Sequence, residues 1–171
     1  MRKILETITL VGLGYLCALT AYVLYGPDPL PDRIPIHFDL AGHPDGYGPT
    51  TDLALAPFAA FVLYMIITVL ARYASLTFHH EHETTAGRER LESLGLGMIA
   101  WIKAELMGIF VCIEMTSIQS SKHPDQAISL VGIWILAGAV LVSITGYIAA
   151  MLRAALTRSK PSHPDGVVAE L

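Results

Sequence analysis

Between the first two apolar runs of the chain lies GPDPLPDRIPIHFDLAGHPDGYGP, Gly26 to Pro49, in which His37, Asp39, His43 and Asp45 bring two imidazoles and two carboxylates close together. Imidazole with carboxylate suits zinc, copper or nickel, and three or four such ligands close a site. One expectation is a transition metal such as Zn or Cu, held by His37 and His43 with Asp39 in support and with His123 and Asp125 available from a later turn. The plainer expectation needs no cofactor. Asp39 and Asp45 cap turns through side-chain to backbone bonds, and His37 ties the loop to the structure beneath it.

A second group of reactive types falls inside an apolar run: Lys103, Glu105 and Glu114. A charge at the centre of a bilayer costs about 2.5 to 3.5 kcal/mol on insertion scales, so such residues face a bundle interior, a wet cavity or a partner. On a helix, Lys103 and Glu114 return to within about 20° of one face but stand roughly 16 Å apart along the axis, too far to pair, while Glu105 faces about 160° away from Lys103. The structural expectation has Lys103 snorkel to the inner surface and Glu114 reach the outer headgroups, leaving Glu105 alone buried. The functional alternative has these groups bind a partner subunit, a proton or an ion.

Other clusters carry less. Phe78-His79-His80-Glu81-His82-Glu83 lacks the His-Glu-x-x-His spacing that sets two imidazoles on one helix face, and reads as a solvated connector. His-Pro-Asp begins at His43, His123 and His163, which reads as three Pro-Asp turns, since the soluble helical hairpin of chaperone J-domains is absent. No serine, cysteine or paired-carboxylate arrangement has catalytic geometry and no glycine-rich phosphate loop follows a strand, so an enzyme is not expected. Cys17 and Cys112 both fall in apolar runs and read as packing residues.

The elements that must position these groups follow from composition. The chain has 171 residues, 53% of them hydrophobic and 15% charged, with a mean hydropathy of +0.53. Four apolar runs, about Ile4–Tyr25, Leu53–Tyr73, Leu94–Ile118 and Ile128–Leu152, are long enough to cross a hydrocarbon core at 1.5 Å per residue. Inside lipid each backbone amide must be satisfied within its own segment, so runs this apolar are helices. The fold class is all-α: a four-helix transmembrane bundle, one domain over 1–152 with a cytoplasmic tail over 153–171, and a proline- and glycine-rich extracytoplasmic loop between helices 1 and 2.

Met1-Arg2-Lys3 before an apolar run resembles a signal peptide start, but the run is too long and Leu19-Thr20-Ala21 lacks a small residue three back, so the helix is retained. Arg2, Lys3, Arg72, Arg88, Arg90, Arg153, Arg158 and Lys160 fall on one side, with Arg33 and Lys122 on the other. The positive-inside rule then puts both termini in the cytoplasm and the Gly26–Asp52 loop outside. Nothing forms the basic patch that a nucleic-acid partner requires. Small-residue ridges at Ala100, Ala104 and Gly108, at Gly14 and Ala18, and at Gly146 and Ala150 predict close helix contacts, within one chain or between chains.

Prolines 27, 29, 31 and 35 before His37, and Gly42, Gly46 and Gly48 after it, exclude a helix in the loop. Leu30 to His37 should be an extended strap, followed by a tight turn at Pro44-Asp45-Gly46. Ile34, Ile36 and Phe38 alternate, which would point all three at the bundle's outer end or the lipid interface and set His37 and Asp39 on the opposite face.

Leu30-Pro31, Ile34-Pro35, His37-Phe38, Gly42, Pro44-Asp45 and Gly48 resemble the signature of the bacterial membrane domain of unknown function 1648, found at the front of SdpI-like immunity proteins. The resemblance covers roughly the first third of the chain. Asp39 stands where the family often has Asn, His43 where a polar or acidic residue is common, and Pro49-Thr50 where Ser-Lys often follows, and no Gly-x-Arg-x-Pro-Trp-like second signature is present. The resemblance implies the domain's fold and its compartment, the bacterial inner (cytoplasmic) membrane, with immunity to a secreted peptide toxin as one association.

The function expected is a non-enzymatic membrane module, acting as an immunity factor, sensor or accessory subunit. Its outer loop (His37, Phe38, Asp39, Gly42, His43, Pro44, Asp45 and Gly46) would recognise a partner protein, peptide or lipid headgroup. Its partners would be the bilayer and either another protein or further copies of itself. The alternatives are a metal-binding or ion- and proton-handling membrane protein, and a membrane hydrolase using the loop histidine as general base.

Overall fold

The computed structural model describes residues 1–77, 85–123 and 128–156. Helix α1 spans Arg2–Tyr25, α2 Leu55–Thr77, α3 Thr85–Lys122 and α4 Val131–Leu156. Between α1 and α2 lie strands β1 (Arg33–Phe38) and β2 (Pro44–Pro49) and a short 3₁₀ turn, Thr50–Ala54. All four helices are long and apolar enough to cross a membrane. Their exposed large side chains are mostly apolar, for example Ile4, Ile8 and Val11 of α1, Phe58 and Phe61 of α2, and Trp134, Ile135 and Val142 of α4. A surface of that kind is matched to lipid, and the chain is a multi-pass membrane protein.

The apolar run Leu94–Ile118 is only the middle of α3. The helix has 38 residues, about 57 Å at 1.5 Å per residue, well beyond a hydrocarbon core. Its added N-terminal turns hold Glu89, Arg90, Leu91 and Glu92, good helix formers that hydropathy ignores. Helix α4 starts later than its apolar run because the backbone N–H of Ile128 donates to Gly42 O at 3.1 Å instead of entering the helix.

Helix α3 is the hub: it packs against α1, α2 and α4, whereas α4 rests chiefly on α3. Helix α1 runs parallel to α3 and buries Leu5, Thr9, Leu16, Thr20 and Val23, a stripe at helical spacing. Gly12 falls in the same stripe, and a Cβ there would come within 2.7 Å of Met107 Cγ, so this glycine admits the close approach of the two helices. The expected ridges fare differently. Ala100 is buried and Gly108 sits against Leu136. At Gly14 and Gly146, by contrast, an added Cβ would meet nothing within 4 Å. Four-residue spacing marks a helix face without saying whether that face meets protein or lipid.

The loop is a β-hairpin added to the helical bundle. Its strands are antiparallel, pairing Ile34 with Gly48, Pro35 with Tyr47, His37 with Gly46 and Phe38 with Pro44. The register shifts twice, leaving Ile36 extra on β1 between Pro35 and His37 and Asp45 extra on β2 between Gly46 and Pro44. The bulge at Ile36 breaks the alternation that was to turn Ile34, Ile36 and Phe38 the same way. Ile34 is buried completely, while Ile36 is 49% exposed and Phe38 half-buried.

The chain reverses at Asp39–His43, ahead of the expected Pro44-Asp45-Gly46, which lies in β2. Asp39 N–H donates to His43 O and Gly42 N–H to Asp39 O, while Asp39 Oδ1 accepts the N–H of Ala41 and of His43, both at 2.9 Å. Gly42 has φ +86°, and a Cβ there would lie 2.0 Å from Ile128 O. With that positive-φ glycine and an acidic side chain closing the turn, Pro44 is left free to open a strand.

The hairpin is fastened to the bundle through Ile34, which packs with Val23 and Leu53 and with the partly buried Leu19, Leu30 and Ile118. Thr50 N–H donates to Asp32 O at 3.1 Å, the Thr50 hydroxyl donates to Pro31 O, and Lys122 Nζ donates to Asp28 Oδ2 at 2.8 Å. Ile34→Ala should therefore cost about 2 to 4 kcal/mol. The loss is expected as early opening of the hairpin in hydrogen exchange, with the exchange-protected centres of α1 and α3 unchanged.

Candidate functional site

The hairpin turns its chemistry outward in two separate pairs. His37 Nδ1 bonds Asp45 Oδ1, and His43 Nδ1 lies 3.3 Å from Asp39 Oδ2. An ionised carboxylate only accepts, so opposite it the imidazole Nδ1–H is the donor in each pair. The two imidazole side chains are 73% and 64% exposed, open to anything that approaches.

His37, Asp39 and His43, expected to share a metal, are not brought to one point. Each imidazole has its own carboxylate, and among the described residues no three His, Cys, Asp or Glu side chains are grouped to hold an ion. His123 is exposed, while Asp125, the His79–Glu83 cluster and the third His-Pro-Asp lie outside the described residues. The His37–Asp45 pair resembles a general base with its orienting carboxylate. Among the described residues, however, no Ser, Thr or Cys side chain is hydrogen-bonded to His37.

Of the loop residues expected to meet a partner, Gly42 and Gly46 shape the hairpin: Gly42 abuts Ile128, and a Cβ on Gly46 would stand 2.9 Å from His37 Cβ. Pro44 pairs with Phe38. The outward apolar groups were not foreseen: Leu40 is 83% exposed, Tyr47 50% and Ile36 49%. The signal available was Leu40 itself, a large apolar residue in a polar turn that requires none. The Asp39 carboxyl is held below the usual carboxylate range, chiefly by the backbone N–H of His43, which with the His43 side chain and Ala41 N–H outweighs the opposing effect of desolvation. Asp28 is lowered in the same sense by its hydrogen bond from Lys122.

Inside the membrane each charged residue of α3 meets a different neighbour. Lys103 does not snorkel. It is 5% exposed, its Nζ is 2.5 Å from Glu6 Oε1 and 3.4 Å from Thr68 Oγ1, and it lies 4.7 Å from the centroid of the Tyr64 ring. Tyr64 Oη donates to Glu6 Oε2 at 3.5 Å, so one cation ties α1, α2 and α3 together. Glu6 escaped notice as a partner because its place near the end of a run says nothing about the register of α1 against α3.

Glu105 faces α4, where Ser143 Oγ donates to its Oε1 at 2.6 Å. Glu114, expected at the headgroups, is instead 1% exposed and lies against α1, its Oε1 2.5 Å from Thr20 Oγ1. The second oxygen of each carboxyl has no partner among the described residues.

Residues 13–61 match the family described as Domain of unknown function (DUF1648). The match is to the domain expected from Leu30 to Gly48, and it reaches into both flanking helices. No curated protein and no solved structure matches the chain.

Two predictions follow from this geometry. Because the Asp39 carboxyl titrates lower in the folded chain than the ~3.9 of a free side chain, its contribution is complete above about pH 4 and is lost as pH falls through the lowered folded value. The amides of Ala41 and His43 should hold their hydrogen-exchange protection into moderately acid solution. Asp39→Ala should lose it at every pH, and Asp39→Asn, which keeps the Oδ1 acceptor, should retain it without the acid transition. For the membrane pair, Glu6→Gln leaves Lys103 buried without a counter-charge and should cost about 3 kcal/mol in mixed-micelle unfolding. Adding Lys103→Met should recover most of that loss.

Proposed function

We propose that this chain is a non-catalytic module of a bacterial cytoplasmic membrane that holds a pre-ordered hairpin at the outer surface as a docking element for a protein or peptide. The observation that carries this reading is a clamped hairpin whose outward side sets large apolar side chains beside two exposed His–Asp pairs. Its base, flank and turn are fixed by Thr50 against Asp32, Ile34 in its cluster and Gly42 against Ile128, while Ile36, Leu40 and Tyr47 are left open. Fixing a loop before binding removes part of the ordering cost of association. Large apolar and aromatic groups beside polar ones are the usual makings of a binding hot spot.

Charge narrows the partner. Between Gly26 and Asp52 the chain carries Asp28, Asp32, Asp39, Asp45 and Asp52 against Arg33 alone. An acidic surface of this kind disfavours anionic headgroups and favours a partner with apolar and basic side chains. The basic residues at the opposite end, Arg2, Lys3, Arg72, Arg90 and Arg153 among them, support an outward-facing hairpin. An immunity factor, a sensor and an accessory subunit would each use an element of this type.

Gentle-detergent purification from the native host, read by intact-complex mass spectrometry together with elemental analysis for zinc, copper and nickel, tests the reading. A defined complex that is lost in Leu40→Asp and Tyr47→Asp, without stoichiometric metal, is the expected result. Near-stoichiometric metal on a lone chain, abolished by His37→Ala, would overturn it.

A further inference from the structure

Glu114 presents a proton-counting problem that Glu105 does not. Thr20 Oγ1 lies 2.9 Å from Leu16 O and 2.5 Å from Glu114 Oε1, yet a hydroxyl carries a single proton. If Thr20 donates to the Leu16 carbonyl, as a buried helical threonine commonly does, the short contact to Glu114 needs a second proton, and only Glu114 can carry it. Ser143, by contrast, has Glu105 as its one acceptor among the described hydrogen bonds, so that contact requires no proton on the carboxyl.

The surroundings agree. An ionised carboxylate offers about four acceptor sites and is costly to bury without a counter-charge. Glu114 is 1% exposed, and among the described residues its Oε2 has no donor and no Lys, Arg or His pairs with it. Thr20 is the group that meets it from α1, and Ser117 and Ser121 continue its own face of α3 toward the hairpin end. The ion pair that the end of α3 makes there, Asp28–Lys122, joins two exposed side chains. Toward the opposite end the same face carries Phe110 and Met107 before Lys103 is reached, roughly 16 Å along the axis.

We infer that Glu114 is a proton-binding site in the α1–α3 seam, occupied at neutral pH and exchanging with the hairpin side of the membrane alone. In the bound state Glu114 Oε1–H donates to Thr20 Oγ1 and the Thr20 hydroxyl donates to Leu16 O. The proton is taken from water by way of the hydroxyl-lined turns above, and no other bond changes. Phe110 and Met107 close the route below, so the site stores a proton and does not conduct one across the bilayer.

Infrared spectroscopy of the full chain in oriented proteoliposomes tests this. At neutral pH a protonated-carboxyl C=O band should be present, absent in Glu114→Gln and retained in Glu105→Gln. The Gln amide reproduces the donor to Thr20, so the fold should survive. Thr20→Val, which removes the acceptor, should move the same band to higher frequency. Alkaline medium on the hairpin side should bleach it, and the same medium on the opposite side should not. A carboxylic-acid region unchanged in Glu114→Gln, a band insensitive to Thr20→Val, or bleaching from the opposite side would overturn the assignment.

Discussion

A bilayer supplies no water to a buried polar group, so each ionisable residue buried along α3 must find its partner in a neighbouring helix, and that requirement organises the bundle. Lys103 draws Glu6 of α1 and Tyr64 and Thr68 of α2 to one point. Glu105 engages Ser143 of α4, and Glu114 engages Thr20 of α1. Apolar contact alone would leave four greasy cylinders with little preference among arrangements, because lipid tails are as apolar as leucine. Polar contacts at three heights along α3 set which helix lies on which side and at what register.

The hairpin inherits its position from that arrangement. Ile34 can be buried because α1, α3 and the 3₁₀ turn present Val23, Ile118 and Leu53 together. Gly42 can bond Ile128 because α3 and α4 return the chain to the same end of the bundle. With its inner side engaged in this way, the hairpin has only its outer side free for anything else. Glu114 lies one helical turn below Ile118, so the proton-bearing seam and the seat of the hairpin share a stretch of α3.

Much of the loop could be read in advance, but with shifts that have physical causes. The pairing of imidazoles with carboxylates was foreseeable from composition, and which carboxylate each imidazole takes was not. His37 reaches across the ladder to Asp45, and His43 back across the turn to Asp39. Pro44-Asp45-Gly46 has good turn chemistry, yet the Asp39 side chain and Gly42 turn the chain first. A bulge at Ile36 cannot be seen in a single strand, since it is defined by the residue opposite. The roles of Glu6 and Gly12 are not legible in the sequence for a related reason: each matters only through the residue of α3 that it meets.

The sequence by itself determined four membrane-crossing helices, a non-helical loop between the first two, and the identity of the domain in its first third. These rest on local properties, namely hydropathy over about 20 residues and the backbone limits of proline and glycine, which no distant contact can reverse. Only the tertiary structure decided that Lys103 is paired and buried, that Glu114 lies in a seam away from the headgroups, and that Leu40 and Tyr47 face outward. Those outcomes depend on the register and rotation of one element against another. Periodicity constrains rotation only to a face, and it leaves register free until side chains from different segments meet.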